Sequence, residues 1–150
     1  MTERVDYYRA SPAGMKALAE VYAHVQRSAL PKRLIDLVCL RASQINGCAY
    51  CIDLHSGHLL KGGLAIETLV LVPVWREAGG LFDAAERAAL AWTETVTRIA
   101  ETGAPDADYA AAAVAFEPAQ LTDLTLTIGM INAYNRMAIS FRTTPAAASS

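Results

Sequence analysis

Between Ser11 and Phe141 the apolar residues of this chain recur every three or four positions, and no stretch alternates apolar with polar residues between turn signals. That period belongs to helices packed by one face, and it leaves no segment that reads as a strand. Each helical run carries its own punctuation. Ser11 and Pro12 open the first, in which Met15, Leu18, Val21, Tyr22 and Val25 share a stripe. Pro31 starts a second, with Leu34, Leu37, Val38 and Ile45 on its apolar face, and Asn46-Gly47 breaks it. A third runs from about Cys48 to Lys61 and stops at Gly62-Gly63. The segment LAIETLVLV, ended by Pro73, has the length of a strand but reads as helix beside its helical neighbours. Asp83 and Glu86 stand in capping-box spacing at the head of a helix that ends at Gly103. A short alanine-rich helix follows over 106–116, and Pro118 starts the last one. The tail after Phe141 is small and polar and is expected to fray. These signals predict an all-α fold: a single helical domain over residues 1–150, with about six to seven helices and short connections.

Composition narrows what such a domain does. Basic residues number 13 against 15 acidic, with no Lys/Arg run. Neither nucleic acid nor an anionic membrane is therefore an expected partner. No apolar run approaches the roughly 18 residues needed to cross a bilayer. The N-terminus, MTERVDYYRA, has no apolar core of a secretory signal. Three cysteines form no disulfide framework, so a cytoplasmic, reducing setting is expected. An apolar fraction of 53% and a mean hydropathy of +0.23 are high for a monomer of this size and lean toward an oligomer.

The chemistry concentrates in INGCAYCIDLHSGH, residues 45–58. Residues three and four apart on a helix share a face, so Cys48, Cys51 and His55 form one stripe. The Asn46-Gly47 break puts both thiols in the first turn of their helix, where free N–H groups and the helix dipole favour a thiolate. An adjacent imidazole can take a thiol proton or pass one to a leaving group. Such a set suits one thiol that attacks an electrophile and a second that closes a disulfide. Two other readings stand beside it. Both thiols can be inert core, or they can be half of a zinc site, for which His55 supplies a third ligand and only His24, His58 or Cys39 a fourth. A thioredoxin-like reading fails, because that fold needs a βαβ pattern. Asp53 projects away from the stripe. Asp36 lies twelve residues before Cys48, roughly 18 Å away along a straight helix. By spacing alone it reads as a solvated carboxylate unless the chain folds back at Asn46-Gly47.

The stretch LIDLVCLRASQINGCAYCIDLHSGHLLKGG, with VPVWREAGGLFDAAERAALAWTE and LTLTIGMINAYNRMAISFR, resembles the AhpD-like branch of the carboxymuconolactone decarboxylase family. The resemblance runs from about Leu30 to Arg142. It implies an AhpD-like all-helical domain assembled into homotrimers or homohexamers, and thiol-dependent reduction of hydroperoxides. It implies Cys51 as the peroxidatic cysteine, Cys48 as the resolving cysteine and proton donor, His55 as a proton relay, and Asp36 at the position of the relay glutamate. Two departures accompany it: Asp36 is one methylene shorter than that glutamate, and Tyr50 stands where the characterised alkylhydroperoxidase has a histidine. Family members that decarboxylate a muconolactone generally lack the cysteine pair. No flavin or nicotinamide fingerprint occurs and no cofactor or metal is expected, so electrons would come from an external dithiol or disulfide reductase.

Three classes of function follow: a thiol-dependent peroxidase, a redox sensor or general disulfide oxidoreductase with little turnover, and an oligomeric scaffold with an inert CxxC. Among the other residues, Cys39 reads as buried and inert, and His58 as a surface or interface histidine. Trp75 reads equally as core or as a neighbour of the thiols. Asn132, Asn135 and Arg136, which interrupt a long apolar helix, read as a hydrogen-bonded network at an interface. Met15, Met130 and Met137 read as core.

Overall fold

Helix ends dictate the course of this chain, and the computed structural model, which describes residues 2–148, shows where each falls. Nine α-helices occur among the described residues, with three short 3-10 segments and no strand. They are α1 (Tyr7–Ala10), α2 (Pro12–Gln26), α3 (Lys32–Asn46), α4 (Ala49–Lys61), α5 (Ile66–Leu69), α6 (Ala84–Thr97), α7 (Ile99–Thr102), α8 (Asp106–Ala115) and α9 (Pro118–Phe141). The expected six to seven is thus an undercount. Six of the nine span ten residues or more; α1, α5 and α7 are four-residue turns, too short to show a period.

Local chemistry accounts for the differences. The expected helix over 83–103 is two, because the backbone leaves helical geometry at Arg98 (φ −102°, ψ 33°). The freed carbonyl of Thr95 is met by the Thr102 hydroxyl at 2.8 Å. LAIETLVLV is helical only over Ile66–Leu69, and the chain continues as a 3-10 segment over Val72–Glu77 with Val74 off helical geometry. The tail does not fray where it is described. Ala146–Ala148 forms a 3-10 turn against α4, and the Ala147 N–H donates to Asp53 Oδ2 at 3.2 Å. The Asp83–Glu86 capping box is present in both directions. Ser11 precedes α2 as expected but makes no side-chain cap bond.

At the centre lies α3. It packs against α4, α6 and α9, and every residue from Leu34 to Leu40 is buried. A helix surrounded in this way is apolar on most of its circumference, which makes the one acidic residue in that run, Asp36, conspicuous. Two apolar clusters flank α3. One joins Val25, Leu34, Val38, Trp92, Leu124 and Ile128 and includes both Cys48 and Cys51. The other joins Leu37, Leu40, Leu59, Val72, Trp75 and Leu90. Trp75 therefore belongs to the core cluster opposite the thiols, with Arg76 stacked 4.2 Å from its ring centre. Met15 and Met130 are buried, and Met137 is partly so.

Candidate active site

The turn between α3 and α4 builds the site. Gly47 adopts the left-handed conformation (φ 72°, ψ 34°), which a side chain disfavours and glycine does not. The Gly47 and Cys48 N–H groups then return to the carbonyls of Gln44 and Ser43, at 3.3 and 2.9 Å, and close the end of α3. Cys48 is at once the N-cap of α4, its Sγ accepting the Cys51 N–H at 3.4 Å. The helix thus begins at Ala49, one residue later than expected, and the first thiol caps it rather than standing within it.

This reversal folds α4 back along α3 and brings Asp36 to His55. His55 Nδ1 lies 3.0 Å from Asp36 Oδ1, and both side chains are 4% exposed. The spacing-based expectation of a solvated Asp36 is overturned, because α4 covers that turn of α3. His58, expected at a surface, has its Nδ1 3.2 Å from the same oxygen and is 32% exposed. An ionised carboxylate only accepts, so each ring donates from Nδ1 and Nε2 of His55 is not used in that bond. Burial pushes Asp36 up, but the hydrogen bonds from His55 and His58 outweigh it and hold the carboxyl below its ordinary value.

The two thiols titrate against one another. Cys48 is drawn down to about 7, chiefly by the hydrogen bond from the Cys51 thiol, with burial opposing and the Cys51 and Tyr50 backbone and Asn135 assisting. Cys51 is pushed well above the ordinary thiol value, first by that same bond, then by burial and the neighbouring Cys48 charge. Both are free thiols. Asn135 is itself fixed, donating to Ser43 Oγ at 3.0 Å and accepting from Asn46 Nδ2 at 2.9 Å. Asn132 accepts from Asn46 and donates to Thr97, and Arg136 donates to Asn132. The asparagines are thus the expected network, joining α3, α6 and α9, with one member reaching the thiols. Cys39 is fully buried, and burial raises its thiol out of the reactive range.

A cavity of about 250 Å3 meets Cys51 and His55, while Cys48 does not line it. A separate cavity of about 390 Å3 meets Asp36 and His58 and is rimmed by Lys32, Arg33 and Lys61. Asp36, His55 and His58 each offer one donor atom within 4.8 Å of the others, so they are the set that could hold a divalent cation, though the basic rim opposes one. The expected residues Cys48, Cys51, His55 and Asp36 all meet here. Sequence reasoning placed His58 at a surface or interface although it stands three residues after His55 on the same face, and named Tyr22 only in a helical stripe and Tyr50 only as a departure from the family; Tyr7, Tyr8 and Tyr134 on the cavity wall it missed. Asp53 points away, as expected, toward the tail.

The model of the carboxymuconolactone decarboxylase family matches residues 12–95. The uncharacterised protein YdfG of Bacillus subtilis is 33% identical over 140 residues, covering 93% of this chain and 95% of YdfG. A crystal structure of a protein of unknown function from Agrobacterium tumefaciens, tentatively described there as the antioxidant defence protein AhpD, is 41% identical. It superposes with a TM-score of 0.91 over 96% of this chain and 98% of its own. An AhpD-core, peroxidase-related protein from Ralstonia eutropha JMP134 shares the fold at 20% identity, with a TM-score of 0.80 over 93% of this chain and 74% of that one.

Proposed function

Because the chain belongs to the carboxymuconolactone decarboxylase family, in its AhpD-like branch, we propose that it is a thiol-dependent peroxidase of the alkyl hydroperoxide reductase type. One observation carries the reading: Cys51 and His55 face the same cavity, with Cys48 bonded behind the first and Asp36 behind the second.

In this cycle one thiol proton has passed to His55 and the other rests on Cys51 beside the Cys48 thiolate. When a hydroperoxide enters, Cys48 takes that proton and Cys51, now a thiolate, attacks the terminal peroxide oxygen. The O–O bond breaks, Cys51 becomes a sulfenic acid, and the departing alkoxide takes a proton from His55, whose charge Asp36 stabilises. Cys48 then attacks the Cys51 sulfur, forming the disulfide and releasing water. In sum, two thiols and one hydroperoxide give one disulfide, one alcohol and one water. An external dithiol or disulfide reductase restores the pair. The protein acts in the cytoplasm as a homotrimer or homohexamer in this reading.

A second reading, a redox sensor or general disulfide oxidoreductase, draws on the 1% and 3% exposure of the two cysteines and on Tyr50 between them. One experiment decides. Reduced protein is mixed with tert-butyl hydroperoxide and its free thiols are counted over time, with Cys51→Ser alongside. Loss of two thiols, sustained by added dithiothreitol and abolished in the variant, is expected. A single slow oxidation that does not recycle favours the sensor, and no thiol loss within minutes overturns both.

A further inference from the structure

Of the six tyrosines in the chain, five line the cavity that Cys51 faces: Tyr7, Tyr8, Tyr22, Tyr50 and Tyr134. They come from four helices, α1, α2, α4 and α9. Leu54, Met130, Ile131 and Ala138 complete the wall, and no Lys, Arg, Asp or Glu is among the described residues that line it. Convergence of one side-chain type from four separate elements is a property of the cavity rather than of any helix.

Two of these tyrosines depend on a segment that does little else. Asp6 caps α1 by accepting the Arg9 N–H at 3.1 Å. The segment is tied to the end of α9 by Arg4 N–H to the Phe141 carbonyl at 2.9 Å and by Arg4 Nη1 to the Ser140 carbonyl at 3.1 Å. Tyr7 packs its ring on Tyr8 and Phe141, at 4.9 and 5.7 Å between centres.

The wall chemistry constrains what fits. Tyrosine rings offer aromatic faces and edges together with a hydroxyl that pairs with a neutral oxygen. Burial holds Tyr7, Tyr22 and Tyr134 above the ordinary tyrosine value, so these phenols stay protonated and uncharged. The basic group on the wall, His55, is already paired with Asp36 at 3.0 Å, so a carboxylate brought inside would be desolvated without a free partner, which is strongly unfavourable. Size narrows the class further. A cavity of about 150 Å3 takes a benzene ring, so 250 Å3 takes a ring with a short branched chain. Hydrogen peroxide leaves most of the apolar wall unused, and a long acyl chain leaves most of its length outside the wall.

We infer that the thiol cavity selects a compact, uncharged hydroperoxide bearing a phenyl ring, of the size of cumene hydroperoxide, over both hydrogen peroxide and fatty-acid hydroperoxides. The inference rests on the peroxidase reading for its chemistry, but its binding step is testable without turnover. In the reduced protein, 2-phenyl-2-propanol, the alcohol that cumene hydroperoxide yields, should slow the alkylation of Cys51 by iodoacetamide at least fivefold and saturably. Benzoate, a charged ring of similar size, should not. Tyr8→Ala, at a position 54% exposed and so tolerant of truncation, should weaken the protection, and Tyr134→Phe, which keeps the ring, should retain most of it. In turnover, kcat/KM for cumene hydroperoxide should exceed that for hydrogen peroxide and for linoleic acid hydroperoxide at least tenfold. No protection by the alcohol, equal protection by benzoate, or equal kcat/KM across the three peroxides overturns the inference. Protection without any turnover upholds the binding class and sinks the peroxidase reading instead; turnover without selectivity does the reverse.

Discussion

At the scale of single residues the site divides its work between charge and access. Cys48 is the thiol drawn down and lies outside the cavity, while Cys51 lines the cavity and is the thiol pushed up. A pH profile exposes this division. Thiol alkylation in the wild type should rise through an inflection near 7, where the pair loses its first proton. In Cys48→Ser the thiol that is drawn down is gone and burial of Cys51 remains, so the inflection should move to the ordinary thiol value of about 8.5 or above. An unchanged inflection would mean that Cys51 is ionised by something other than its partner. The same variant should accumulate Cys51 sulfenic acid after one turnover, trapped by dimedone. Asp36 acts one residue further back. Asp36→Asn removes the charge that steadies a protonated His55, and turnover should fall by about 10²-fold. His58→Ala should lower it less than tenfold, since His55 keeps its own bond to Asp36. Peroxide turnover across a pH series measures both, and a larger loss for His58 than for Asp36 would invert the assigned order.

Among the elements, the α3–α4 turn matters most, because it alone converts distance along the chain into contact. Gly47→Ala tests it. Nothing lies within 4 Å of where the new Cβ would stand, so the penalty is conformational only. A left-handed alanine costs about 1–2 kcal/mol, which in a domain of this size lowers Tm by roughly 2–8 °C. Cys48 N–H and Sγ bonds hang on the same turn, so peroxide turnover should drop with Tm; a fully active but destabilised variant would show that the thiols are held from elsewhere. The reversal also explains what the sequence revealed and what it hid. Caps at Asp83 and Pro118 and the stripe of Cys48, Cys51 and His55 are local patterns, and local patterns are legible. Asp36 is not a local matter: only resemblance to a family pointed to it, since its partner arrives through tertiary folding. His58 was read as a surface or interface histidine for the same reason. Helix α1 was not anticipated for a different reason: four residues carry no period, and two adjacent tyrosines look generic until a cavity forms beneath them.

For the molecule as a whole, stability has an electrostatic knot away from the thiols. Glu94 accepts from Arg41 at 2.8 Å and Trp75 at 3.0 Å, and pairs with Arg76 as well. Burial pushes its carboxyl up, but the Arg76, Trp75 and Arg41 bonds hold it below the ordinary value. A depressed carboxyl stabilises the fold above its unfolded value, and the contribution fades as pH falls through the depressed one. Glu94→Gln should therefore lose about 2 kcal/mol at neutral pH and show a flatter decline in Tm on acidification. An identical acid decline would assign the effect to other carboxyls. Assembly is testable at the same scale. Ile66, Val70 and Val74 expose 52%, 61% and 52% of their surface, and light scattering should give the mass of three or six protomers of 16.1 kDa. A monomer mass would remove the oligomer from the proposal. Finally, the hydrogen-bonded run from His58 through Asp36 to His55 touches two separate cavities. In the proposed cycle, proton supply and substrate traffic therefore use different doors. Replenishing the relay does not wait for the alcohol to leave. A bulky alcohol lodged against Cys51 would compete with peroxide for the front entrance while the back one stays open.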